Sequence, residues 1–312
     1  MKQGKIVVVM GGPSSEAEVS RRTGAAIVSA LESKGYAVEG MELDPPNFAE
    51  AIRKSDCAIV FNALHGRYGE DGVLQGTLDM LGIPYTGSGV LAAAVTMDKV
   101  MSKRVFLGAG ISTPRSETFH RFEFDAELPS RIRKAFSLPV VIKASSQGSS
   151  IGVAIVEKEE ELEAALKDAF RYDEEVLVEE FIRGKELTVA VWGDAREAQA
   201  FPVIEITTVS GRYDYASKYT KGASTHIIPA RIPLDVTERV QQLAVDAFRA
   251  CGCRGVARAD MMLGEDMTPY VIEINSMPGM TETSLVPDAG RAMGVEFPEL
   301  CERILEMAGY EK

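Results

Sequence analysis

The sequence predicts an α/β protein, and three observations support that prediction. In the first ninety residues, apolar strands alternate with helices, a rhythm that implies a parallel sheet covered by helices. The next block, about residues 95–185, contains strands in an antiparallel pattern. Near the carboxyl end, two short apolar runs in residues 254–284 flank a polar turn, as in a β-hairpin. At 312 residues, the chain should form two or three domains.

The amino-terminal block begins with a buried strand over residues 5–10, KIVVVM. Ser15 and Glu18 predict a capping box for the helix that follows. Ligands of parallel sheets covered by helices bind beyond the carboxyl ends of the strands. That rule predicts that residues 11–16 and 65–71, which each follow a strand, lie at one crevice. The block also contains predicted strands over 36–43 and 57–64 and predicted helices near 47–54 and 72–81.

The elements that follow are predicted mainly by their apolar periods. Residues 88–110 predict one Ala-rich helix, whereas residues 119–130 predict an irregular connector. Residues 210–226 have no apolar period, and such a long polar and aromatic loop suggests a lid or a binding loop. The other predicted helices cover about 158–170, 235–250 and 297–308, and the other predicted strands include 138–145, 175–182 and 186–193.

Composition argues against several classes of protein. The chain is 46% hydrophobic and 26% charged, which is typical of globular proteins. Its formal charge of −12 argues against a binder of nucleic acid or anionic membranes, which would present a basic surface. No apolar run approaches the roughly 18–20 residues that span a bilayer, and the amino terminus predicts a strand rather than a signal peptide. The four cysteines form no CxxC pair, so we expect reduced thiols in a cytoplasmic protein.

The predicted hairpin carries acidic and amide side chains at strand spacing. Arg258 and Asp260 are two residues apart on the first run, and Glu273 and Asn275 are two apart on the second. Residues i and i+2 of a strand point to the same face, so each pair presents its side chains together. If residue 260 lies opposite residue 273, three oxygen donors of the type that suits Mg²⁺ converge beside one guanidinium. Spacing alone leaves this register open, and a solvated hairpin face is the alternative.

Elements that suit a phosphate group are present, although the common nucleotide motifs are not. The sequence lacks GxxxxGK[ST] and has no GxGxxG after its first strand. The loop at 148–152, GSSIG, matches the GxSxG pattern of serine hydrolases, but that motif needs a following helix and a strand pattern follows here. A loop whose backbone N–H groups bind phosphate fits better. Lys99 and Lys143, which singly are typical surface residues, would add the local cations that an acidic protein needs to hold ATP.

Other residues keep a structural and a functional interpretation open. Glu16 follows a glycine-rich strand exit and could bind an ammonium group or stabilise a helix dipole. His65 could shuttle protons, but a structural or substrate-orienting role is favoured because no nucleophile adjoins it. A strand end could bind an adenine edge through its backbone, with Glu186 near a ribose. That strand end consists of Glu179, Glu180, Phe181 and Ile182.

Most of the candidate residues lie in seven segments distributed along the chain. These are GGPSSEAEVS (11–20), NALHGRYGEDG (62–72), MDK (97–99), QGSSIGV (147–153), YDYASKY (213–219), RADMML (258–263) and EINSMPGMTETSLVP (273–287). In this order they resemble the D-alanine–D-alanine ligase family of the ATP-grasp superfamily. The resemblance covers almost the whole chain, and the last segment is highly specific. It implies three α/β domains, the first with a parallel, Rossmann-like sheet, and ATP between the central and carboxyl-terminal sheets. The expected bounds are 1–94, 95–185 and 186–312.

The resemblance implies ATP and two Mg²⁺ ions, for which Mn²⁺ can substitute. The implied metal ligands are Asp260, Glu273 and Asn275. Lys99 and Lys143 would contact the phosphates, while the 148–152 loop, including Ser149, would close over them. Glu179 to Ile182 and Glu186 would hold adenine and ribose.

The resemblance also implies a reaction in peptidoglycan precursor synthesis. ATP phosphorylates the carboxylate of one D-alanine, the amine of a second attacks the acyl phosphate, and phosphate leaves. Arg258 and the Gly279 N–H group would stabilise the oxyanion of the tetrahedral intermediate. The residues that would bind the two amino acids are Glu16, in a hydrogen-bonded set with Ser149 and Tyr219, then His65, Lys218 and Ser284.

Further expectations concern the acceptor and the partners. Family members that form a D-alanine–D-lactate ester typically replace the lid tyrosine, so Tyr219 favours an amine acceptor. Ala144, Ser146 and Gln147 depart from the usual family residues, and so does the lid beyond Tyr219, TKGASTHIIPA. These departures bear on loop dynamics and ATP affinity more than on the reaction. A homodimer is implied, with no nucleic-acid or membrane partner. Two other hypotheses are an ATP-grasp ligase for different amino acids and a catalytically silent nucleotide-binding module, which would typically lack metal ligands.

Overall fold

Three β-sheets form the framework of the protein in a computed structural model, which describes residues 4–148, 151–208, 223–281 and 284–310. A three-stranded sheet lies near the amino terminus, a four-stranded sheet in the middle of the chain, and a six-stranded sheet toward the carboxyl end. Helices pack on each sheet, so the α/β prediction is confirmed. Within the described ranges, no helix is long and apolar enough to cross a membrane.

The amino-terminal sheet is parallel and covered on both faces. Its elements are β1 (Lys5–Met10), α1 (Ala17–Ser33), β2 (Ala37–Glu42), α2 (Phe48–Lys54), β3 (Cys57–Asn62) and α3 (Val73–Leu81). Strand β1 lies between β2 and β3. Val8 packs on the side of α1, whereas Val7 and Val9 pack on the side of α2 and α3. Burial on both faces explains why the strand is apolar throughout and does not alternate.

Helix α1 does not begin as the sequence predicts. The residue before its first turn is Glu16, and no side chain caps it. The predicted capping box of Ser15 and Glu18 is therefore wrong. Instead, Ser14 Oγ accepts the N–H of Glu16 at 3.1 Å, a bond within the glycine-rich turn, and Glu18 lies 3.5 Å from Arg21 on the helix surface.

The predicted single helix over 88–110 is also wrong, because the chain forms two helices, α4 (Val90–Met97) and α5 (Lys99–Gly108). Asp98 separates them with extended backbone, φ −93° and ψ 110°. Its carboxylate accepts the N–H of Met101 at 3.0 Å and so caps α5. It also accepts the hydroxyl of Ser145 at 2.7 Å, and the N–H of Lys99 donates to the Ser145 carbonyl at 2.8 Å. These bonds to the middle sheet stabilise the break.

The middle sheet is antiparallel, as predicted, with strand order β4-β7-β5-β6. Its elements are β4 (Ser116–His120), α6 (Leu128–Ala135), β5 (Val140–Ala144), β6 (Val153–Val156), α7 (Leu162–Ala169) and β7 (Glu175–Glu180), with short 3-10 helices at Arg121–Glu123 and Glu159–Glu161. Helix α6 occupies part of the stretch predicted as an irregular connector. Its proline, Pro129, lies in the first turn, where a proline is tolerated, and Leu128 and Ile132 are buried.

The six-stranded sheet has the order β11-β10-β8-β12-β13, with β9 paired to β8. Its elements are β8 (Gly184–Gly193), β9 (Gln199–Ala200), β10 (Ile204–Thr208), β11 (Ser224–Ile227), α8 (Leu234–Ala250), β12 (Gly255–Gly264), β13 (Pro269–Asn275), α9 (Leu285–Ala292) and α10 (Phe297–Glu306). The hairpin β12–β13 pairs Asp260 with Glu273 and Arg258 with Asn275. The register on which the convergence of the oxygen donors depends is therefore confirmed. Helix α9 was absent from the sequence prediction.

The cores of the amino- and carboxyl-terminal parts are continuous. Ile27 and Leu31 of α1 belong to one buried cluster with Leu300 and Ile304 of α10. The middle sheet has its own core, which α6 and α7 cover. This arrangement holds the amino-terminal strand ends beside the hairpin, where the crevice lies.

Candidate active site

One large crevice lies where the three sheets meet, and its volume is about 2450 Å³. Pockets for single small molecules measure roughly 300–1,000 Å³, so this crevice has room for several ligands together. It is lined by every predicted site residue within the described ranges: Glu16, His65, Lys99, Lys143, Glu179, Glu180, Phe181, Ile182, Glu186, Arg258, Asp260, Glu273, Asn275, Gly279 and Ser284. The predicted residues Ser149, Lys218 and Tyr219 lie outside the described residues, as does most of the loop predicted over 210–226. The end of that prediction is wrong, because β11 begins at Ser224.

The amino-terminal rim of the crevice brings together the two loops that follow β1 and β3. Ser20 ties them, because its hydroxyl donates to the Ala63 carbonyl and accepts from the Gly11 N–H, each at 2.8 Å. Gly66 has a φ of 71°, and a Cβ there would lie 2.9 Å from Glu16 Oε2. A Cβ on Gly148 would lie 3.1 Å from the same oxygen. Glycines at both positions let the Glu16 carboxylate lie close to two loop backbones.

Burial changes the protonation of two groups at this rim. Burial lowers the pKa of His65 despite the charge of Glu16, and its Nε2 lies 3.1 Å from the Thr23 hydroxyl. The imidazole is therefore mainly neutral near pH 7, a state that suits orientation of a substrate. Burial, assisted by the negative charge of Glu16, raises the pKa of Glu70 to about 8. Its carboxyl accepts the Gly66 N–H at 2.8 Å. No role was predicted for Glu70, although it lies within the GEDG turn.

The cations of the crevice come from the start of α5 and from β5. Lys99 is the first residue of α5, whereas the sequence predicts it inside one longer helix over 88–110. Its Nζ donates to the Gln147 carbonyl at 2.7 Å and lies 3.7 Å from Glu273. Lys143 Nζ lies 2.5 Å from Glu179 Oε2, and Lys103 Nζ lies 2.9 Å from Glu179 Oε1. Lys103 and Lys143 thus share the carboxylate of Glu179. Their separation in the sequence did not indicate this arrangement.

Arg258 and Asp260 form a close ion pair on the crevice side of β12. Arg258 Nε donates to Asp260 Oδ1 at 2.7 Å, and a terminal guanidinium nitrogen donates to Oδ2 at 2.6 Å. Thr188 of β8 also donates to Asp260 Oδ1 at 2.6 Å. This bidentate geometry fixes the guanidinium plane beside the Glu273 and Asn275 strand.

The donor chemistry of the hairpin fits a hard divalent cation. Asp260, Glu273 and Asn275 offer carboxylate and amide oxygens, and Mg²⁺ typically takes one or two protein carboxylates together with substrate phosphates. Across the described ranges, no group of three or more His, Cys, Asp or Glu is arranged to hold a metal. A cation at this site would therefore depend on Asn275 and on phosphate oxygens as well as on the two carboxylates.

The loop after β13 places a hydroxyl and a backbone N–H close together. Ser284 precedes the first turn of α9 and has extended backbone. Its Oγ accepts the N–H of Thr281 at 3.1 Å and lies 2.7 Å from the Thr281 hydroxyl. A Cβ on Gly279 would lie 3.1 Å from Ser284 Oγ, so glycine allows this approach. The loop thus presents small groups at the helix N-terminus, where an anion is favoured.

The strand end at residues 179–182 forms another wall of the crevice. Glu179 is buried, and Glu180 Oε1 accepts the Arg115 N–H at 2.7 Å. Nearby, Glu205 of β10 accepts from Lys185 at 3.0 Å and from the Arg231 guanidinium at 2.7 Å. The Arg231 bonds hold the pKa of Glu205 down at about 2.

Comparison with known proteins agrees with this geometry. Residues 105–306 match the family model for the D-ala D-ala ligase C-terminus, and residues 37–88 match the model for the D-ala D-ala ligase N-terminus. The D-alanine–D-alanine ligase of Desulforudis audaxviator (strain MP104C) is 49% identical over 305 residues, which cover 97% of this chain and 98% of that protein.

Solved structures of the same kind superpose over nearly the full chain. The D-alanine–D-alanine ligase of Bacillus anthracis, complexed with ATP, has a TM-score of 0.84 at 33% identity, and the match covers 98% of this chain and 97% of that one. The VanG D-Ala:D-Ser ligase of Enterococcus faecalis also has a TM-score of 0.84, at 31% identity, covering 98% and 99%. The three sheets and the crevice between them define an ATP-grasp enzyme. Within that class, the chain belongs to the D-alanine–D-alanine ligase family.

Proposed function

We propose that the protein uses ATP to join two D-alanine molecules into D-alanyl-D-alanine, releasing ADP and phosphate. One observation carries the proposal: a single crevice gathers ammonium-binding, phosphate-binding and oxyanion-stabilising groups from all three sheets. The volume of about 2450 Å³ suits a nucleotide and two amino acids together. In a bacterium, the product would serve the synthesis of peptidoglycan precursors.

In the first step, the γ-phosphoryl group passes to the carboxylate of the first D-alanine. An oxygen–phosphorus bond to that carboxylate forms, the bond to the β-phosphate breaks, and ADP leaves. Lys99 and Lys143 bind the phosphates, and Glu16 binds the ammonium group of the amino acid. Neutral His65 orients the substrate beside Glu16. The adenine lies along Glu179 to Ile182, with Glu186 at the ribose.

Asp260, Glu273 and Asn275 would hold two Mg²⁺ ions, or Mn²⁺ in their place. Such cations, when bound, offset negative charge on the transferred phosphoryl group. The protein's own contribution is to place these three oxygen donors on adjacent strands, where Asp260 faces Glu273.

In the second step, the amine of the second D-alanine attacks the acyl phosphate. The carbon–nitrogen bond forms, the carbon–oxygen bond to phosphate breaks, and the amine loses a proton. Arg258 and the Gly279 N–H stabilise the oxyanion, the charge on which such donors act most strongly. Ser284 and Lys218 bind the carboxylate of the second D-alanine. By the family resemblance, Ser149 and Tyr219 would act in one hydrogen-bonded set with Glu16, and the 210–226 segment would exclude water.

The proposal extends to the organisation of the protein. We divide the chain into domains at 1–94, 95–185 and 186–312, which separates the three sheets except for the first two residues of β8. The four cysteines are free thiols, which favours work in the cytoplasm. The family resemblance favours a homodimer.

The testing experiment measures ADP release with ATP, Mg²⁺ and a panel of D- and L-amino acids, with the product identified by mass. We expect D-alanine alone to stimulate turnover and to yield the dipeptide. A panel with D-serine is the sharpest comparison, because the VanG enzyme of similar fold is a D-Ala:D-Ser ligase. Turnover without stimulation by D-alanine would overturn the proposal in favour of another carboxylate–amine ligase.

A further inference from the structure

We propose that Lys103 is a positioning residue for ATP, which keeps the positive charge of Lys143 available to the phosphates by sharing the carboxylate of Glu179. The proposal rests on the assignment of Lys143 to the ATP phosphates. It gives a role to a lysine that lines no part of the crevice.

The three charged groups form a buried chain. Lys103, Glu179 and Lys143 come from α5, β7 and β5, and their side chains are 4%, 2% and 9% exposed. Each carboxylate oxygen of Glu179 faces a different lysine, at 2.9 Å and 2.5 Å. Solvent screens such a group much less than it screens a surface ion pair.

Lys103 is fixed by contacts on its far side. Its Nζ also donates to the Thr113 hydroxyl at 2.7 Å and to the Pro114 carbonyl at 2.8 Å. Thr113 in turn donates to the Val271 carbonyl of β13 at 2.7 Å. The ammonium of Lys103 therefore has two oxygen partners behind the crevice wall. Its third partner, Glu179, lines the wall itself together with Lys143.

The charge balance explains why a second lysine is needed. Glu179 and Lys143 alone would form a neutral pair, and the phosphates would meet little net positive charge from them. With Lys103, the chain of three groups has a net charge of +1, so Glu179 can hold Lys143 in place without cancelling it. In a protein of formal charge −12, local cations must supply the attraction for a nucleotide.

The ionisation of the group is consistent with this balance. Burial alone would raise the pKa of the Glu179 carboxyl. The positive charges of Lys143 and Lys103 have the larger effect, so they hold this pKa below its usual range. Burial lowers the pKa of Lys103, while the charge of Glu179 opposes that shift. The lysines therefore keep Glu179 ionised, and Glu179 in turn favours the charged form of Lys103.

The test measures the affinity of the full chain for ATP without D-alanine and for adenosine, which has no phosphate, by calorimetry. In Lys103→Met, Glu179 neutralises Lys143, so we expect ATP affinity to fall by roughly tenfold or more, with adenosine affinity within about twofold. Lys103→Met with Glu179→Gln removes both compensating charges, so the ratio of ATP affinity to adenosine affinity should return to within about threefold of the native ratio. The ratio is the readout because a change in the adenine contact of Glu179 affects both ligands equally. Lys167→Met, at an exposed site on α7, removes the same charge as a control and should change neither affinity.

Three outcomes would overturn the proposal: unchanged ATP affinity in Lys103→Met, equal losses for ATP and adenosine, or a double variant whose ratio of ATP affinity to adenosine affinity stays as low as that of the single variant. If Lys103→Met does not fold, the double variant decides alone, because Lys143 then keeps its charge uncompensated and the ratio of ATP affinity to adenosine affinity must stay near the native ratio. Failure of the native protein to bind ATP would instead refute the proposed function, so the two failures are distinguishable.

Discussion

The hairpin β12–β13 and the ion group around Glu179 both place charges at the crevice, but they are assembled differently. In the hairpin, Arg258 and Asp260 are neighbours on one strand face, and one register brings Glu273 opposite Asp260. In the ion group, Lys103, Lys143 and Glu179 lie on three elements that are distant in the sequence. Local alternation therefore builds one site, and tertiary packing builds the other. The expected consequence is that hairpin changes act on chemistry, whereas changes in assembled ion groups act on affinity or stability.

Arg258→Ala should produce the largest effect, a loss of about 10²–10³ in kcat, because it removes a donor to the developing oxyanion. Steady-state rates with D-alanine check this. Arg239→Ala, an exposed arginine on α8 with one distant acidic neighbour at 3.9 Å, is the control and should retain native rates. A loss under tenfold for Arg258→Ala would contradict the oxyanion role.

Glu273→Gln should cost at least about tenfold in activity and raise the Mg²⁺ concentration needed for half-maximal rate, since it weakens a proposed cation ligand. A magnesium titration of the rate measures both effects. Glu265 lies in the exposed turn of the same hairpin, so Glu265→Gln is the matched control. An unchanged magnesium requirement would show that the metal assignment is wrong.

Glu70→Gln should change how stability depends on pH. In the native protein the folded pKa of Glu70, about 8, lies above its ordinary value of 4.5, so the folded state binds more protons between these values. Stability from this group therefore falls as pH rises from about 5 to 8. Between pH 5 and pH 8, the free energy of unfolding should fall by about 1–3 kcal/mol less in the variant than in the native protein. Denaturant unfolding at pH 5 and pH 9 measures the difference, and parallel curves would refute it.

Glu205→Gln should have the smallest effect. Its effect on the free energy of unfolding should disappear as pH falls, whereas that of Glu70→Gln changes as pH rises. The Arg231 bonds lower the folded pKa of Glu205 from 4.5 to about 2, so its stabilisation is present above about pH 4.5 and is lost as pH falls toward 2. Because Arg231 is largely exposed, we expect about 1–2 kcal/mol after solvent screening. Unfolding curves of the variant and the native protein should converge below pH 3. A constant gap down to pH 2 would contradict the prediction.

The sequence predicts the features that local alternation builds better than those that tertiary packing builds. Strand alternation was enough to group Arg258 with Asp260 and Glu273 with Asn275, and the strand-end rule was enough to place Glu16 near His65. The break at Asp98 was missed because the apolar period continues across it, and only its bonds to Ser145 explain the extended backbone.

Two helices were missed for a related reason. Helices α6 and α9 each contain a proline, Pro129 and Pro287, but both prolines lie in the first helical turn, where a proline removes no helical hydrogen bond. The role of Lys103 had no local signal, because its partners come from elsewhere in the fold. The family resemblance supplied roles for crevice residues but none for this lysine behind the wall.

The break at Asp98 has a mechanical consequence. Helices α4 and α5 are joined by one extended residue, Asp98. The start of α5 is tied to the middle sheet because Lys99 donates to the carbonyls of Ser145 and Gln147. A rotation of the middle sheet about this joint would carry Lys99 with it. Lys103, however, is also tied through Thr113 to Val271 of the carboxyl-terminal sheet. The ion group around Glu179 would therefore resist such a rotation, because it links the middle sheet to the carboxyl-terminal sheet.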